Sequence, residues 1–190
     1  HCNTTVIIFA RSKEKALKVF PYLEEEEHLE IVLGDISEPI CYDGDIDYVI
    51  HGASPTSSKY FVSHPVETIG AAVDGTRYVL ELAKQKQVKG VVYLSSLEVY
   101  GTPAEDAGMI TEKDYGYIEP LSVRSSYSEG KRIVECLCAS YAKEYDVPVK
   151  VARLSQTFGA GVAYDDGRVF AEFARCAICL LYTSDAADDK

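Results

Sequence analysis

The sequence lacks tryptophan, has a single methionine and carries too little positive charge for a nucleic-acid-binding surface. It holds 19 Lys and Arg against 30 Asp and Glu, a formal net charge of -11. Because neutralising phosphates requires a basic face, we do not expect nucleic acid as a partner. The sequence also lacks a run of about 18 apolar residues, the length of a membrane span, and a charged segment followed by an apolar stretch and a cleavage site. We therefore expect no membrane partner, no secretory route and a cytoplasmic location.

The cysteines follow no regular framework of spacings. In a chain of 190 residues without a secretion signal, they are expected to be reduced core thiols rather than disulfides. Cys136 and Cys138 are two residues apart in a helical pattern and so point to different faces, while Cys176-x-x-Cys179 is half of a zinc or redox motif without its partner half. No metal site is predicted. The six cysteines are Cys2, Cys41, Cys136, Cys138, Cys176 and Cys179.

Short β-branched runs alternate with longer amphipathic stretches, a pattern typical of a parallel sheet covered by helices. Ser12 is a candidate N-cap for the first helix, and Pro65 is a favourable first residue for the second. The predicted fold class is α/β with a doubly wound parallel sheet. The predicted strands are 6–10, 29–33, 47–51, 90–96 and 149–154, and the predicted helices cover about 12–20, 65–87, 125–144 and 167–177.

Small or polar residues follow each predicted strand. The carboxyl ends of parallel strands meet at one edge of a sheet, which is where open α/β sheets bind their ligands. A ligand site is therefore expected at this edge. The segments to inspect are Ala10-Arg11-Ser12, Gly34-Asp35, His51-Gly52-Ala53-Ser54, Ser95-Ser96 and Ser155-Gln156.

Tyr127 and Lys131 stand at positions i and i+4 of a predicted helix and so share one face. A phenol normally titrates near pH 10, and a neighbouring ammonium favours the phenolate. A phenol with a lowered pKa is a plausible general base for a sugar hydroxyl near neutral pH. Such a pair also arises by chance, but Ser95-Ser96 ends a strand upstream, where a hydroxyl can reach the same substrate oxygen.

Several segments, taken in chain order, resemble the extended short-chain dehydrogenases/reductases, the NAD-dependent epimerase/dehydratase family. The stretch 120–132 is similar to the active-site helix of UDP-glucuronate decarboxylases, and the resemblance covers about 4–178. It implies a Rossmann-type domain that binds NAD, a UDP- or dTDP-sugar substrate and a homodimer formed through the helices at 66–87 and 125–144. The other matching segments are 50–54, 75–76, 94–101 and 152–159.

The resemblance implies a role for each matching residue. Tyr127 is the base, Lys131 lowers its pKa and binds the cofactor ribose, Ser96 steadies the substrate hydroxyl and Glu98 is the active-site carboxylate. Two of these residues have an alternative interpretation without a role in the site. Asp35 is also consistent with a residue that caps a turn, and Glu98 with a surface residue after a strand. His51 is expected to be a packed strand-end residue. The implied cofactor-binding residues are Arg11, Ser12, Asp35, Ile36, Gly52, Ala53, Ser54 and Lys131, and the implied substrate-binding residues are Arg124, Ser125 and Gln156.

The sequence also departs from the family pattern. The first strand and the glycine-rich loop that holds the pyrophosphate are expected before residue 1. Residues 1–158 are thus predicted to be an incomplete NAD(P)-binding domain, 159–178 the start of a substrate domain, and 179–190 a non-native tail that resembles translated sequencing adapter. We expect this polypeptide alone to bind cofactor poorly and not to turn over. Ala10-Arg11-Ser12 stands where NAD-preferring members carry Asp, so NADP stays an alternative. Many relatives carry Asn at the positions of Ala72 and Gln156.

One position bears on the reaction. Relatives that dehydrate the sugar use adjacent Asp and Glu, but here Leu97 precedes Glu98. Leucine cannot donate a proton, whereas a 4-keto uronic acid, being a β-keto acid, loses carbon dioxide without that acid. The motif therefore favours decarboxylation, with 4-epimerisation next and 4,6-dehydration disfavoured. A non-catalytic NAD(P)-binding sensor is the alternative of another class.

Overall fold

The computed structural model describes residues 4–106, 108–157, 159, 162, 164 and 166–179. Residues 180–190, which make up nearly all of the predicted tail, lie outside these. The chain divides into two compact units, His1–Leu154 and Ser155–Lys190. The predicted domain border falls four residues later than this division, at 158.

The elements agree closely with those predicted from the sequence. Strands 6–10, 29–33, 90–96 and 149–154 have the predicted bounds, and Ser12 caps the first helix by accepting the Lys15 backbone N–H at 3.2 Å. A short helix that ends just before Pro65 was not predicted. The elements are β1 Val6–Ala10, α1 Lys13–Val19, β2 Leu29–Leu33, β3 Tyr48–His51, α2 Ser58–Ser63, α3 Pro65–Gln85, β4 Gly90–Ser96, α4 Ser125–Tyr145, β5 Val149–Leu154 and α5 Val169–Cys179, with short 3-10 helices at Pro21–Glu24 and Leu97–Tyr100.

Among the strands that the structure describes, every pairing is parallel, and these strands form two sheets. β1 pairs with β2, and separately β3, β4 and β5 pair in that order. In the usual doubly wound order, 3-2-1-4-5-6, taking out strand 1 leaves these same two groups. The split therefore agrees with a fold whose first strand is absent from the described chain, and the strand expected before residue 1 stays a prediction.

One face of β3 is open to solvent. Tyr48 and Ile50 alternate along the strand and therefore share a face, and they are 70% and 77% exposed. Parallel sheets normally have both faces covered. Apolar side chains thus line β3 where a complete sheet of this class would bury them.

The core lies where α3 and α4 pack on β4. Val91 and Val134 are almost fully buried there. The two helices approach closely at Gly130, where a side-chain Cβ would lie 3.3 Å from that of Ala72. Because these helices are fixed by apolar burial, the polar residues of α4 are held rigidly beside the end of β4.

The second unit contains α5. Arg175 on this helix donates to the backbone carbonyls of Tyr164, at 2.6 Å, and Asp166, at 2.8 Å. Within the described part of the chain, no helix combines the length and apolar character needed to cross a membrane.

Candidate active site

Tyr127 lies in the first turn of α4, beside the end of β4. Its phenol lies near enough to the Ser96 hydroxyl for that hydroxyl to lower its pKa, and its ring stacks on Phe61 of α2, with centroids 4.3 Å apart and planes 10° from parallel. Phe61 is 2% exposed, so the wall that orients the phenol is itself fixed. The predicted Tyr127 and Ser96 are brought together.

Lys131 lies one turn further along α4 and is 4% exposed. Its ammonium donates to the Leu94 carbonyl at 2.9 Å and lies 5.7 Å from the centre of the Tyr127 ring. Burial lowers the pKa of Lys131 to about 8, and the Glu135 carboxylate opposes that shift. Lys131 is thus held against the strand that carries Ser96, on the same face as Tyr127.

The expectation that the pKa of Tyr127 is lowered is wrong for this structure. Burial raises the pKa of the Tyr127 phenol, the Ser96 hydrogen bond lowers it, the Glu98 charge raises it and the Arg124 charge lowers it. Desolvation is the largest contribution, because the phenolate loses more stabilisation from water than Ser96 and Arg124 provide. A net lowering therefore requires positive charge beyond that of the described residues.

Glu98 is held at the site rather than left on the surface. Arg124 donates from Nη1 to Oε2 at 3.0 Å and from Nη2 to Oε1 at 2.9 Å, and the Ser128 hydroxyl donates to Oε2 at 2.8 Å. The backbone N–H of Glu98 donates to the Ser96 hydroxyl at 3.2 Å. The structure thus joins Glu98, Ser96 and the start of α4, and the surface interpretation of Glu98 is not supported.

The residues expected to bind substrate have different surroundings. The Arg124 guanidinium pairs with Glu98 and lies 5.1 Å from the Phe61 ring centre. The Ser125 hydroxyl is buried and donates to the Glu119 carbonyl at 2.6 Å, closing the loop before α4. Gln156 is exposed and belongs to the second unit. Substrate binding by these residues stays a prediction.

Arg11 and Asp35 meet at the other half of the strand edge, after β1 and β2. The Arg11 Nη1 lies 4.0 Å from Asp35 Oδ2, with both side chains accessible. Asp35 Oδ1 accepts the Ser37 N–H at 2.9 Å and also the Ser37 hydroxyl. These hydrogen bonds, chiefly, keep the pKa of Asp35 low. Asp35 therefore does cap a turn, and its second oxygen remains at the edge where an adenine amine is expected.

Two adjacent residues of helix α3, Gly75 and Thr76, contact the segments that follow β2 and end β3. A Cβ on Gly75 would lie 2.8 Å from Ile36 Cγ1 and 3.2 Å from the Ile36 carbonyl oxygen, so a side chain here would force Ile36 to shift. Thr76 hydrogen-bonds the buried His51 Nε2 at 2.9 Å. Burial lowers the pKa of His51 to about 4, which agrees with a packed, neutral strand-end residue.

Small residues follow β3 at the strand edge. Gly52 and Ala53 are exposed, and a Cβ on Gly52 would lie 3.1 Å from Leu94 Cδ1. Ser54 is half-buried and donates to the Pro55 carbonyl at 3.3 Å. An exposed backbone without bulky side chains fits the close approach of a dinucleotide, so Gly52 and Ala53 suit the role expected of them.

Four residues of this region were missed by sequence reasoning. Phe61 lies on the unpredicted α2, and Ser128 belongs to the motif but received no role. Glu135 and Arg153 form a partly buried ion pair behind the site, with their side chains 12% and 13% exposed. Glu135 stands four residues after Lys131, so helical spacing was the signal that pointed to it.

The cysteines agree with the predicted helix orientation. Cys136 is exposed and Cys138 is buried, so the two do point to different faces. Within the described ranges, no group of three or more His, Cys, Asp or Glu residues is arranged to hold a metal ion.

Residues 5–178 match the NAD dependent epimerase/dehydratase family. The chain therefore belongs to this family, which confirms the resemblance drawn from its motifs. It is 35% identical over 147 residues to UDP-glucuronic acid decarboxylase 1 of Xenopus tropicalis, covering 77% of this chain and 34% of that protein. It is also 35% identical over 149 residues to UDP-glucuronic acid decarboxylase 6 of Arabidopsis thaliana, covering 78% and 42%. The chain thus spans well under half of these relatives.

The fold is also shared with solved structures. The dTDP-glucose 4,6-dehydratase of Streptomyces venezuelae, solved with NAD bound, superimposes with a TM-score of 0.72 at 20% identity, covering 94% of this chain and 54% of that one. At this identity the likeness concerns the fold alone, and it confirms the predicted α/β class.

Proposed function

We propose that this chain carries the catalytic residues of an enzyme that oxidises C4 of a nucleotide sugar and then decarboxylates the product, as UDP-glucuronate decarboxylases do. The observation that carries the proposal is the position of Tyr127, one helical turn from the buried Lys131, whose ammonium donates to the Leu94 carbonyl of the strand that ends at Ser96. A phenol and a serine hydroxyl that meet at the edge of a parallel sheet can both reach one substrate hydroxyl. The proposed substrate is UDP-glucuronate.

The residues at the strand edge fit a dinucleotide. Asp35 and Arg11 suit the adenosine half, Gly52 and Ala53 leave the backbone open beside it, and Lys131 suits the nicotinamide ribose. The glycine-rich loop that would hold the pyrophosphate is not found in this sequence. A bound NAD would supply the acceptor for the hydrogen on C4 and, when oxidised, positive charge. We propose NAD, with NADP as the alternative because Arg11 stands where a 2′-phosphate would lie.

In the proposed reaction, Tyr127 takes the proton of the C4 hydroxyl while the Ser96 hydroxyl holds the oxygen. Burial raises the pKa of the Tyr127 phenol, and the Ser96 hydroxyl and the Arg124 charge oppose that shift. Oxidation makes the sugar a 4-keto uronic acid, whose C5–carboxylate bond breaks with release of carbon dioxide, leaving its electron pair in an enolate that takes a proton at C5. UDP-xylose would then form when the hydride removed from C4 is returned to that carbon and the proton held by Tyr127 is returned to its oxygen. Residue 97 is leucine, 36% exposed, so it offers no acid for expelling a hydroxyl, and this argues against dehydration.

Glu98 is held in a fixed position by its hydrogen bonds. Its carboxylate accepts hydrogen bonds from two donors of Arg124 and from Ser128, and bidentate guanidinium pairing fixes the orientation of a carboxylate. A carboxylate held in this way can orient a sugar hydroxyl. We propose this role for Glu98.

The test is to incubate the uninterrupted gene product with UDP-glucuronate and NAD, and to measure carbon dioxide and the sugar nucleotide formed. Release of carbon dioxide with formation of UDP-xylose is expected. Formation of UDP-galacturonate would replace the decarboxylase with a 4-epimerase. Clear NAD binding without turnover of any UDP- or dTDP-sugar would favour the sensor. The cytoplasmic location and the homodimer stay predictions, which fractionation and sedimentation of the same product would check.

A further inference from the structure

A partly buried ion pair lies behind the catalytic residues. Arg153 of β5 donates from Nε to both Glu135 oxygens, at 3.0 and 3.2 Å, and from Nη2 to Oε2 at 2.7 Å. The two side chains are 13% and 12% exposed, whereas the surface pair of Lys89 and Asp47 is 66% and 67% exposed. Even partial burial of two charges costs desolvation energy, which their attraction often fails to repay. Stability alone is therefore a weak reason for this pair.

The pair joins four segments at one point. The Ser95 hydroxyl of β4 donates to Glu135 Oε1 at 2.6 Å. Arg153 also donates from Nη1 to the Glu112 carbonyl at 2.9 Å and from Nη2 to the Tyr115 hydroxyl. The Glu135 carboxylate and the Arg153 guanidinium thus connect strands β4 and β5, helix α4 and the loop before it.

The Glu135–Arg153 pair is next to the catalytic residues on both β4 and α4. Ser95 directly precedes Ser96, and Glu135 stands one helical turn after Lys131. Lys131 donates to the Leu94 carbonyl at 2.9 Å. Two residues of α4, Lys131 and Glu135, therefore hydrogen-bond two consecutive residues of β4. The position of the next residue, Ser96, follows from that double attachment.

Glu135 also acts on Lys131 through its charge. Burial lowers the pKa of Lys131, and the Glu135 carboxylate raises it. The neighbouring titratable groups differ from Glu135 in charge, because burial keeps the pKa of His51 low, at about 4, and the pKa values of Tyr93, Tyr127 and Cys138 high. Among the groups that the described chain places against Lys131, Glu135 therefore supplies the negative charge at neutral pH. The groups that face Lys131 are His51 of β3, Tyr93 of β4, and Tyr127, Glu135 and Cys138 of α4.

We propose that Glu135, held by Arg153, is a positioning residue of this site: it fixes Ser96 through the Ser95 hydroxyl and places its carboxylate one helical turn from the Lys131 ammonium. Neither residue needs to touch the substrate. The catalytic consequence rests on the proposed function, whereas the effect on Lys131 is a property of this chain.

The first experiment measures Lys131 directly, by NMR titration of this chain with 13C-labelled lysine, assigned by loss of the signal in Lys131→Met. Glu135→Gln keeps an oxygen that accepts the Ser95 hydroxyl and removes only the charge, so the Lys131 midpoint should move down from about 8. Glu129→Gln is the matched control, on the same helix, because its carboxylate is 42% exposed and lies 3.8 Å from Arg132. An unmoved midpoint in Glu135→Gln, or an equal shift in the control, overturns the proposal.

A second variant covers the case in which the unpaired Arg153 prevents folding. Glu135→Gln with Arg153→Gln leaves no buried charge unpaired. Its Lys131 midpoint should still lie below that of the unchanged chain, because Glu135 is the charge that acts on Lys131. An unchanged midpoint in this folded variant overturns the electrostatic role.

The uninterrupted enzyme provides the catalytic readout. Glu135→Gln should lower kcat about tenfold and move the alkaline limb of the kcat profile to lower pH, with KM little changed. A structural role alone would lower activity without moving that limb. If the Lys131 midpoint shifts and no variant or parent turns over any nucleotide sugar, the proposed function fails while the link between Glu135 and Lys131 stands. If the parent turns over and neither limb nor midpoint moves, the positioning role fails alone.

Discussion

Arg124 and Glu98 form a two-point ion pair across the mouth of the site, with N–O distances of 3.0 and 2.9 Å. The two residues lie 26 positions apart in the sequence, at the start of α4 and directly after β4. The pair therefore links the helix that carries Tyr127 to the strand end that carries Ser96. Its side chains are 39% and 30% exposed, and ion pairs this accessible contribute little to the free energy of unfolding. A loss of activity on breaking the pair would therefore report on the site and not on stability.

Replacing Arg124 by lysine tests this link. Lysine keeps the charge but cannot make two parallel N–H bonds to one carboxylate. In the uninterrupted enzyme, kcat/KM for UDP-glucuronate should fall about tenfold, as expected for one lost orienting contact, while the free energy of unfolding changes by less than about 1 kcal/mol. Arg77→Lys, in the exposed pair with Asp74, is the control and should change neither quantity. Full activity in Arg124→Lys would show that the two-point geometry is not needed.

Tyr127→Phe tests the base. The ring would still stack on Phe61, so the fold and cofactor binding should be preserved, but the proton acceptor is removed. Turnover should fall by about 10²- to 10⁴-fold, the range that general acid–base catalysis supplies. The uninterrupted enzyme is assayed by carbon dioxide release, with NAD binding followed by calorimetry. Tyr145→Phe, near the other end of α4, serves as the control, and retained activity in Tyr127→Phe would remove Tyr127 from its assigned role.

The strands and the Tyr127–Lys131 pair could be predicted because both depend on local sequence. β-branched runs define strands wherever they pack, and i, i+4 spacing places two side chains on one helical face. The stacking of Phe61 on Tyr127 joins residues 66 positions apart, and no periodicity encodes which aromatic ring will cover which phenol. α2 has six residues, too few for a helical pattern to be distinguished from a loop.

The raised pKa of Tyr127 also depends on contacts between segments distant in sequence, which the motif does not encode. The lysine four residues away was visible in the sequence, and it predicted a lowered pKa. The larger influence is desolvation, which depends on how tightly α2, β4 and α4 enclose the phenol. Burial of that kind arises from the packing of segments distant in sequence, so the sign of the net shift could not be obtained from the motif.

Two glycines of α3 should respond in opposite directions to alanine. At Gly75 a Cβ would press on Ile36, at 2.8 Å from Cγ1, so Gly75→Ala should destabilise the fold by about 1–3 kcal/mol, as overpacking does. At Gly70 nothing lies within 4 Å of the added Cβ, so Gly70→Ala should stabilise it by about 0.5–1 kcal/mol through helix propensity. Urea unfolding of this chain measures both changes. Equal effects at the two positions would contradict the close approach of Ile36 to the helix.

His51 should make the stability of this chain depend on mildly acidic pH. Its pKa is about 4 in the folded chain against 6.5 for an unperturbed histidine, so between these values the unfolded state binds more protons. Stability is therefore fully present above about pH 6.5 and is lost as pH falls towards 4, by about 3 kcal/mol in total for this residue. Urea unfolding between pH 7 and 4.5 measures the slope. His51→Gln, which can still bond Thr76, should flatten the slope, while His28→Gln at an exposed position should leave it unchanged. An equally steep slope in His51→Gln would assign the acid sensitivity to other groups.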